Sequence, residues 1–505
     1  MEKINPFNLK AKNINFTLAI FVLTVLCCFN VIYFVGVSAN PLIQSDAWYF
    51  LDANIKKWIA QGFNLSDLFV KRSVIDHAQP LNKFFLYLNY RFFNLDFRFE
   101  SLIGLFGLFS IIFFFVHRFL IILFTKAVLA RNIIAFSMAI MIITSLNATG
   151  LYTWSLVTFS FLPLAMAFAC AWFTWLFLQN KKVILCLIFL IFSMLLIGDT
   201  AAIILWGSLF ISIVLILKTK DSTFKNRAIV WLLVSGALVA TIFLSINWSF
   251  IFTDNNSSIA KTSQLQLTNP MFYVEAIRII FSAALIHGTH LTNLGESTKT
   301  ITLIFALPIL YFYIKHFVDL LFIKKDITEI DFLVTFMLVY ASASIAAIIF
   351  GRVSEYGINY LNQPRYLVIY QLIPFSLLIK WAFTENNNTQ ERYSIHYSIL
   401  AIFAGTFLLV IQLSVSSTAY RAVPWIWKWH IEQANAISKY ADDPTISSGN
   451  CTPHSVPICG MPINKRNDLI KTMQARKLNL FNPNFQNKYR LFLDVRTLDQ
   501  KTAAQ

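Results

Sequence analysis

The chain has 505 residues, 57% of them hydrophobic and 13% charged, and its mean hydropathy is +0.62. No soluble core buries that much apolar side chain, so the composition excludes a water-soluble globular protein and calls for lipid as solvent. The formal charge of +16 is dispersed around apolar runs and not gathered on one polar face, which excludes a nucleic-acid-binding protein.

In chain order, the hydropathy pattern predicts transmembrane helices near 16–37, 99–117, 132–148, 156–178, 183–198, 200–217, 229–252, 299–315, 331–350, 365–380 and 397–416. These are about eleven spans of an all-α polytopic bundle, each helix satisfying its own backbone polar groups. Ser38, Ala39 and Asn40 after the first run resemble a signal-peptidase site, but the length of that run and the spans that follow favour a retained helix. Lys3, Lys10 and Lys12 place the N-terminus inside, and Arg118, Lys126, Arg131, Lys181, Lys182, Lys218, Lys220, Lys225, Arg227, Lys315, Lys324 and Lys325 fall in loops on that side. An odd span count puts the tail outside. The stretch from Pro270 to Asn293, with Arg278, His287 and His290, is open between a further span, a re-entrant element and an interfacial helix.

Two regions outside the spans are large enough for chemistry. In the loop from Ser38 to Arg98, Trp48, Leu51, Ile55 and Trp58 recur at helical spacing, and a second pattern after Pro80 sets Leu81, Phe84, Phe85, Leu88 and Phe92 against Asn82, Lys83 and Asn89. Both read as interfacial helices. The second region is the tail, 417–505. Within it Cys451 and Cys459 enclose a short loop with two prolines and read as a disulfide of an oxidising compartment. A metal site using His454 is the alternative, although two thiols and one imidazole at this spacing match no common zinc pattern. Cys27, Cys28, Cys170 and Cys186 lie inside apolar runs, where cysteine acts as a small hydrophobe.

Several segments taken in order resemble the GT-C superfamily of membrane glycosyltransferases. They are the first span with an acid just beyond it, the run from Asp76 and His77 through Pro80 to Tyr90, the turn Ser145-Leu-Asn147 with Tyr152-Thr-Trp154, the element Gln363-Pro364-Arg365-Tyr366-Leu367, and Lys477-Leu-Asn-Leu-Phe481. Among such proteins the chain looks most like the bacterial O-antigen glucosyltransferases of serotype conversion. The resemblance implies a GT-C-like bundle in the bacterial inner membrane with an N-terminal catalytic outer loop and a periplasmic tail. It also implies transfer of a sugar, glucose in that group, from undecaprenyl phosphate to a lipid-linked cell-surface glycan.

The chemistry of such a transfer nominates residues. A sugar hydroxyl is a poor nucleophile, so a carboxylate that accepts its proton is expected. Asp46, about nine residues past the first span, is the leading candidate, although Ser45 and Asp46 also read as a helix cap. Asp76 and His77 could bind acceptor hydroxyls or relay a proton, or form a solvated turn before Pro80. Arg365, with Arg352 across the same outer loop, could meet the phosphate leaving group, or snorkel to lipid head groups. Asp52, Asp67 and Asp96 read as surface groups, Glu100 as an interfacial charge, and Asp199 as a turn residue with a minor functional claim. No dense acidic cluster demands a metal, and cationic side chains suffice for one phosphate, so no cofactor is expected. The competing classes are a flippase or transporter of the same lipid-linked sugar, for which inverted repeats and intramembrane charges are scarce, and an O-antigen polymerase or acyltransferase.

Overall fold

The structure, a computed structural model, describes residues 6–71, 77–125, 129–217, 220–251, 268–295, 297–324, 326–384, 391–447, 451–452 and 455–492. Its described elements are all helices. They are α1 (Pro6–Ser38), α2 (47–61), α3 (Pro80–Phe93), α4 (Arg98–Thr125), α5 (Ala130–Ile143), α6 (Thr149–Thr153), α7 (Ser155–Leu178), α8 (Val183–Ile197), α9 (Asp199–Leu217) and α10 (Ser222–Ile251). Then come α11 (Pro270–Ala283), α12 (Ser297–Ile323), α13 (Glu329–Tyr356), α14 (Leu367–Ala382), α15 (Glu391–Asp442), α16 (Ile463–Ala475) and α17 (Pro483–Tyr489), with short 3-10 turns between. Each of the eleven stretches expected to span is helical over most of its described length, although the one expected over 132–148 leaves the helix after Ile143. Eight described helices are long and apolar enough to cross a membrane, while α5, α8 and α14 have 14, 15 and 16 residues.

Packing follows from which helices lack a polar face. α14 is apolar nearly all round and is buried on all sides, from Leu367 through Phe375 to Ala382, against α5 and α13. Gly104 and Gly107 bring α4 against α7 backbone to backbone: a Cβ at Gly104 would lie 2.1 Å from the Thr158 carbonyl oxygen, and one at Gly107 2.6 Å from that of Phe161. Small residues at helix crossings supply this close contact where lipid offers no hydrophobic drive. The outer helices turn Phe29, Phe106, Ile184 and Phe403 outward, as a lipid-facing surface requires.

α15 departs from the sequence expectation. It runs unbroken for 52 residues, about 78 Å, so the boundary expected near Ser417 falls inside a helix. The run of Ser414, Ser416, Ser417 and Thr418 ends the hydropathy signal without ending the helix, because polarity marks where lipid stops and not where hydrogen bonding stops.

The far half of α15, with α16 and α17, shares a hydrophobic cluster with the first loop: Leu42, Trp48, Leu51, Ile55, Trp58 and Phe97 pack with Ala434, Ile437, Tyr440, Leu469, Met473 and Phe485. Loop and tail therefore lie on one side of the bundle. The α2 stripe expected to lie on a membrane surface faces the tail instead, because α16 and α15 cover it. Asn479, buried at φ 48°, joins the two by donating its amide to Pro41 O (3.0 Å) and Leu95 O (2.5 Å), while its N–H meets Asn94 O (2.9 Å). Asn479→Ala should leave Leu95 O without its donor and take one of two donors from Pro41 O, which keeps the Phe97 N–H (3.2 Å), destabilising the docked tail by about 1–3 kcal/mol. Faster proteolysis after α15 with the spans intact would show it; wild-type protease resistance would remove Asn479 from that role.

Asp67 and Asp96, read above as surface groups, are buried. Asp67 caps its own turn and accepts hydrogen bonds from Lys57 and from Trp58 Nε1 (3.1 Å); Asp96 meets Lys488 (2.8 Å) and Tyr489 of the tail. Burial pushes the Asp67 carboxyl up, but the Lys57 ammonium, the Asn64 N–H and Trp58 outweigh it and hold it below the ordinary value. α3 buries polar residues beside Leu81 and Leu86. Asn82, Lys83 and Asn89 are buried, with Lys83 Nζ on the Asp67, Leu68 and Val70 carbonyls and Asn89 on Glu100 (3.3 Å), while Phe92 is exposed.

Candidate active site

Asp46 begins the first loop helix. Ser45 just before it has φ 51°, an uncommon conformation for a residue with a Cβ and one that surrounding structure must enforce. The Asp46 carbonyl accepts the first helical N–H of Tyr49, but its side chain makes no capping bond, and its half-buried carboxylate has no hydrogen-bond partner among the described residues. The cap reading is thus not how the carboxylate is used. Upstream, Asn40 anchors the loop: its amide donates to Gln44 (3.0 Å) and Gln433 (2.7 Å), its side-chain oxygen accepts the Leu42 N–H (2.9 Å), and its own N–H meets Thr153 O (2.9 Å) on α6.

The same five-residue helix carries the Pro364-Arg365-Tyr366 turn on its first residues, since a Cβ at Gly150 would lie 3.1 Å from Pro364 Cβ. Arg365 donates to the Tyr360 hydroxyl and lies over two rings, 5.3 Å from Tyr360 and 5.2 Å from Tyr366. Its Nε is buried without a hydrogen-bond partner among the described residues, as are Ser145 Oγ, Tyr152 OH and Trp154 Nε1, which lie near one another in sequence. Arg352 is exposed at the end of α13. The turn that carries Arg352 packs against the 358–362 turn that carries Tyr360, so Arg352 and Arg365 share one locality.

Asn147 holds this corner together. Its amide donates to Ala283 O (2.7 Å), its side-chain oxygen accepts the His287 N–H (2.6 Å), and its carbonyl accepts from His290 Nε2 (2.6 Å). His287 Nε2 faces the Asn362 carbonyl (2.8 Å) and therefore carries the proton, leaving Nδ1 to accept from Thr289 (2.9 Å). Burial and the neighbouring His290 keep His287 below the ordinary imidazole value against the pull of Asn362 O, so it is neutral near pH 7. The two histidines position backbone here. α11, at 14 residues, about 21 Å, is short of a hydrocarbon core of about 30 Å and ends on this corner.

Asp76 lies outside the described residues. His77 does not join Asp46 through any described contact: its Nδ1 meets Thr200 Oγ1 (3.2 Å) and stands 3.9 Å from the buried Asp199. Asp199 also pairs with Lys71 (3.5 Å), whose ammonium donates to Asn247 (2.7 Å). Gly198, at φ 96°, makes this docking possible, because a Cβ there would lie 2.8 Å from Pro80 Cδ. The reading of Asp199 as a solvated turn residue is thereby corrected: it is a buried partner of the first loop. Lys71 and Tyr360 were missed by sequence reasoning. Tyr356, Tyr360 and Tyr366 around Arg365 were a legible signal for an aromatic frame, whereas nothing near Lys71 marks it.

Cys451 and Cys459 form a disulfide, Cα atoms 5.3 Å apart, with His454 outside the described residues. Among the described residues no group of three His, Cys, Asp or Glu side chains could hold a metal ion. No family model, curated protein or solved structure matches the chain.

Proposed function

We propose that this chain is a GT-C-like glycosyltransferase that takes a sugar, glucose in the closest resemblance, from undecaprenyl phosphate and places it on a lipid-linked cell-surface glycan such as O-antigen. The observation that carries this reading is the pairing across α6: a carboxylate with no hydrogen-bond partner among the described residues, Asp46, follows the Asn40 anchor at one end, and a framed guanidinium, Arg365, follows Pro364 at the other. A base for the acceptor hydroxyl and a cation for the departing phosphate are the two groups the reaction needs. Arg352 adds a second charge, while His77, with Asp199, is assigned to acceptor hydroxyls. No cofactor is invoked. Purified protein in nanodiscs should move radiolabelled sugar from a polyprenyl-phosphate donor to isolated lipid-linked glycan; donor hydrolysis or flipping without transfer would overturn the reading.

The orientation belongs to the same proposal. Eleven crossings, an odd number, return the tail to the side on which α1 ends, in keeping with the cluster shared by loop and tail; a crossing by α11 would part them. With the basic loops inside, tail and loop face the periplasm, and the Cys451–Cys459 disulfide suits that compartment. An alkaline phosphatase fusion after Gln505 should be active and one after Lys220 inactive. An inactive tail fusion of normal abundance would reverse the assignment.

A further inference from the structure

Beside the loop that carries Asp46, between α1, α15 and α17, lies a groove of about 500 Å³. Gly36, Val37, Val423 and Ile431 give it an apolar floor, while Arg98, Lys488 and Arg490 stand on its walls. Trp427 closes one side, donating Nε1 to Val37 O (2.6 Å). Arg98 is held in place by three contacts: Nε donates to Ala39 O (3.1 Å), and the guanidinium lies 5.4 Å from the Trp427 ring and 4.7 Å from that of Tyr489. Arg490 is exposed and its guanidinium has no partner among the described residues. Among the described residues the lining holds three cations and no carboxylate; Asp96, behind them, supplies one negative charge, paired with Lys488 and close to Arg98.

The level of the groove relative to lipid is marked on α15. Below it Phe403, Phe407, Val410 and Leu413 are exposed, as a lipid-facing stretch is; alongside it Trp425 and Trp429 are exposed, as side chains at the head-group level are; beyond it the helix enters the cluster shared with the first loop. An apolar floor opening at that level, topped by an excess of positive charge, complements a lipid whose head is a phosphate anion.

We infer that this groove holds the diphosphate head and first prenyl units of the lipid-linked acceptor, an inference that rests on the transferase reading. A transferase working between two lipid-anchored substrates needs two phosphate sites, one on either side of its base. Arg352 and Arg365 lie beyond the Pro364 end of α6, and the groove lies at the other end, where Arg98 binds Ala39 O and the adjacent Asn40 N–H binds Thr153 O. Two positive charges in excess suit a diphosphate better than the single charge of a phospholipid. The apolar floor excludes a soluble nucleotide sugar as the preferred occupant.

Two substitutions on separate elements test this. Arg490→Glu reverses the exposed charge. Gly36→Leu fills the floor without a backbone collision, since a Cβ at Gly36 meets nothing within 4 Å. Full-length protein in phosphatidylcholine nanodiscs is titrated with a prenyl diphosphate and read by native mass spectrometry, with prenyl monophosphate and phosphatidylglycerol as competitors and no sugar donor present. One prenyl diphosphate should bind per chain, each variant should weaken it at least tenfold at an unchanged melting temperature, and neither competitor should displace it at equal concentration. Displacement by phosphatidylglycerol would make this a general anionic-lipid site and overturn the inference, as would wild-type affinity in both variants. Because no turnover is measured, binding that persists in a protein without transferase activity would sink the catalytic reading and leave the groove assignment standing.

Discussion

Asp46→Asn is expected to lower sugar transfer by at least about a hundredfold, the usual contribution of a positioned general base, while leaving insertion, abundance and melting temperature unchanged. The second half follows from the geometry. The Asp46 carboxylate caps nothing and makes no hydrogen bond with any described residue, so an isosteric amide removes no native contact. Ser45, held at φ 51°, and the Asn40 anchor that ties the loop to α6 and α15 remain in place. What the amide lacks is an acceptor for the proton of the attacking hydroxyl. Rates with a radiolabelled polyprenyl-phosphate donor, beside a thermal shift of the same preparation, separate the two effects. Near-normal turnover would clear Asp46 of this role and move attention to Asp76 and Asp199.

The apolar helices were legible because a helix in lipid must be apolar over a length set by the bilayer, and that constraint is local in sequence. Several departures of the fold from the reading have their cause at a distance in the chain. Asp96 looked like a surface acid because its partners, Lys488 and Tyr489, lie in the tail; Asn147 showed no role because it is completed by Ala283, His287 and His290. In α3 both faces were visible in sequence but not which would be buried. α3 leaves Phe92 and Phe93 exposed and spends its polar residues on Glu100 and the Asp67 turn, while Leu81 and Leu86 are buried beside them. The candidate residues divide likewise. Arg365 was legible from Pro364 and its tyrosines, while the union of His77 with Asp199 and Lys71 needed the Gly198 turn brought against Pro80.

Arg365 separates the phosphate reading from simple anchoring. A snorkelling arginine needs only charge near head groups, and Lys supplies that equally. Arg365 is held more closely: it donates to the Tyr360 hydroxyl, two tyrosine rings face its guanidinium, and one of its nitrogens is buried without a hydrogen-bond partner among the described residues. Pro364 opens the short turn before α14 without losing a needed N–H. A planar fork fixed in that frame can give a phosphate oxygen two hydrogen bonds as the anomeric bond breaks, whereas an ammonium gives a point charge and forgoes the fork. Arg365→Lys is therefore expected to keep the fold and part of the donor affinity but to lose turnover by roughly ten- to a hundredfold, about 1.4–2.7 kcal/mol of transition-state stabilisation. Arg365→Ala should in addition raise the donor KM, because the ground-state charge is removed as well. Michaelis parameters for both variants against a prenyl-monophosphate sugar decide the matter, with Arg352→Ala as a comparison that should chiefly affect KM. If Arg365→Lys matches wild type in kcat and KM, the residue is an anchor and the leaving-group cation lies elsewhere.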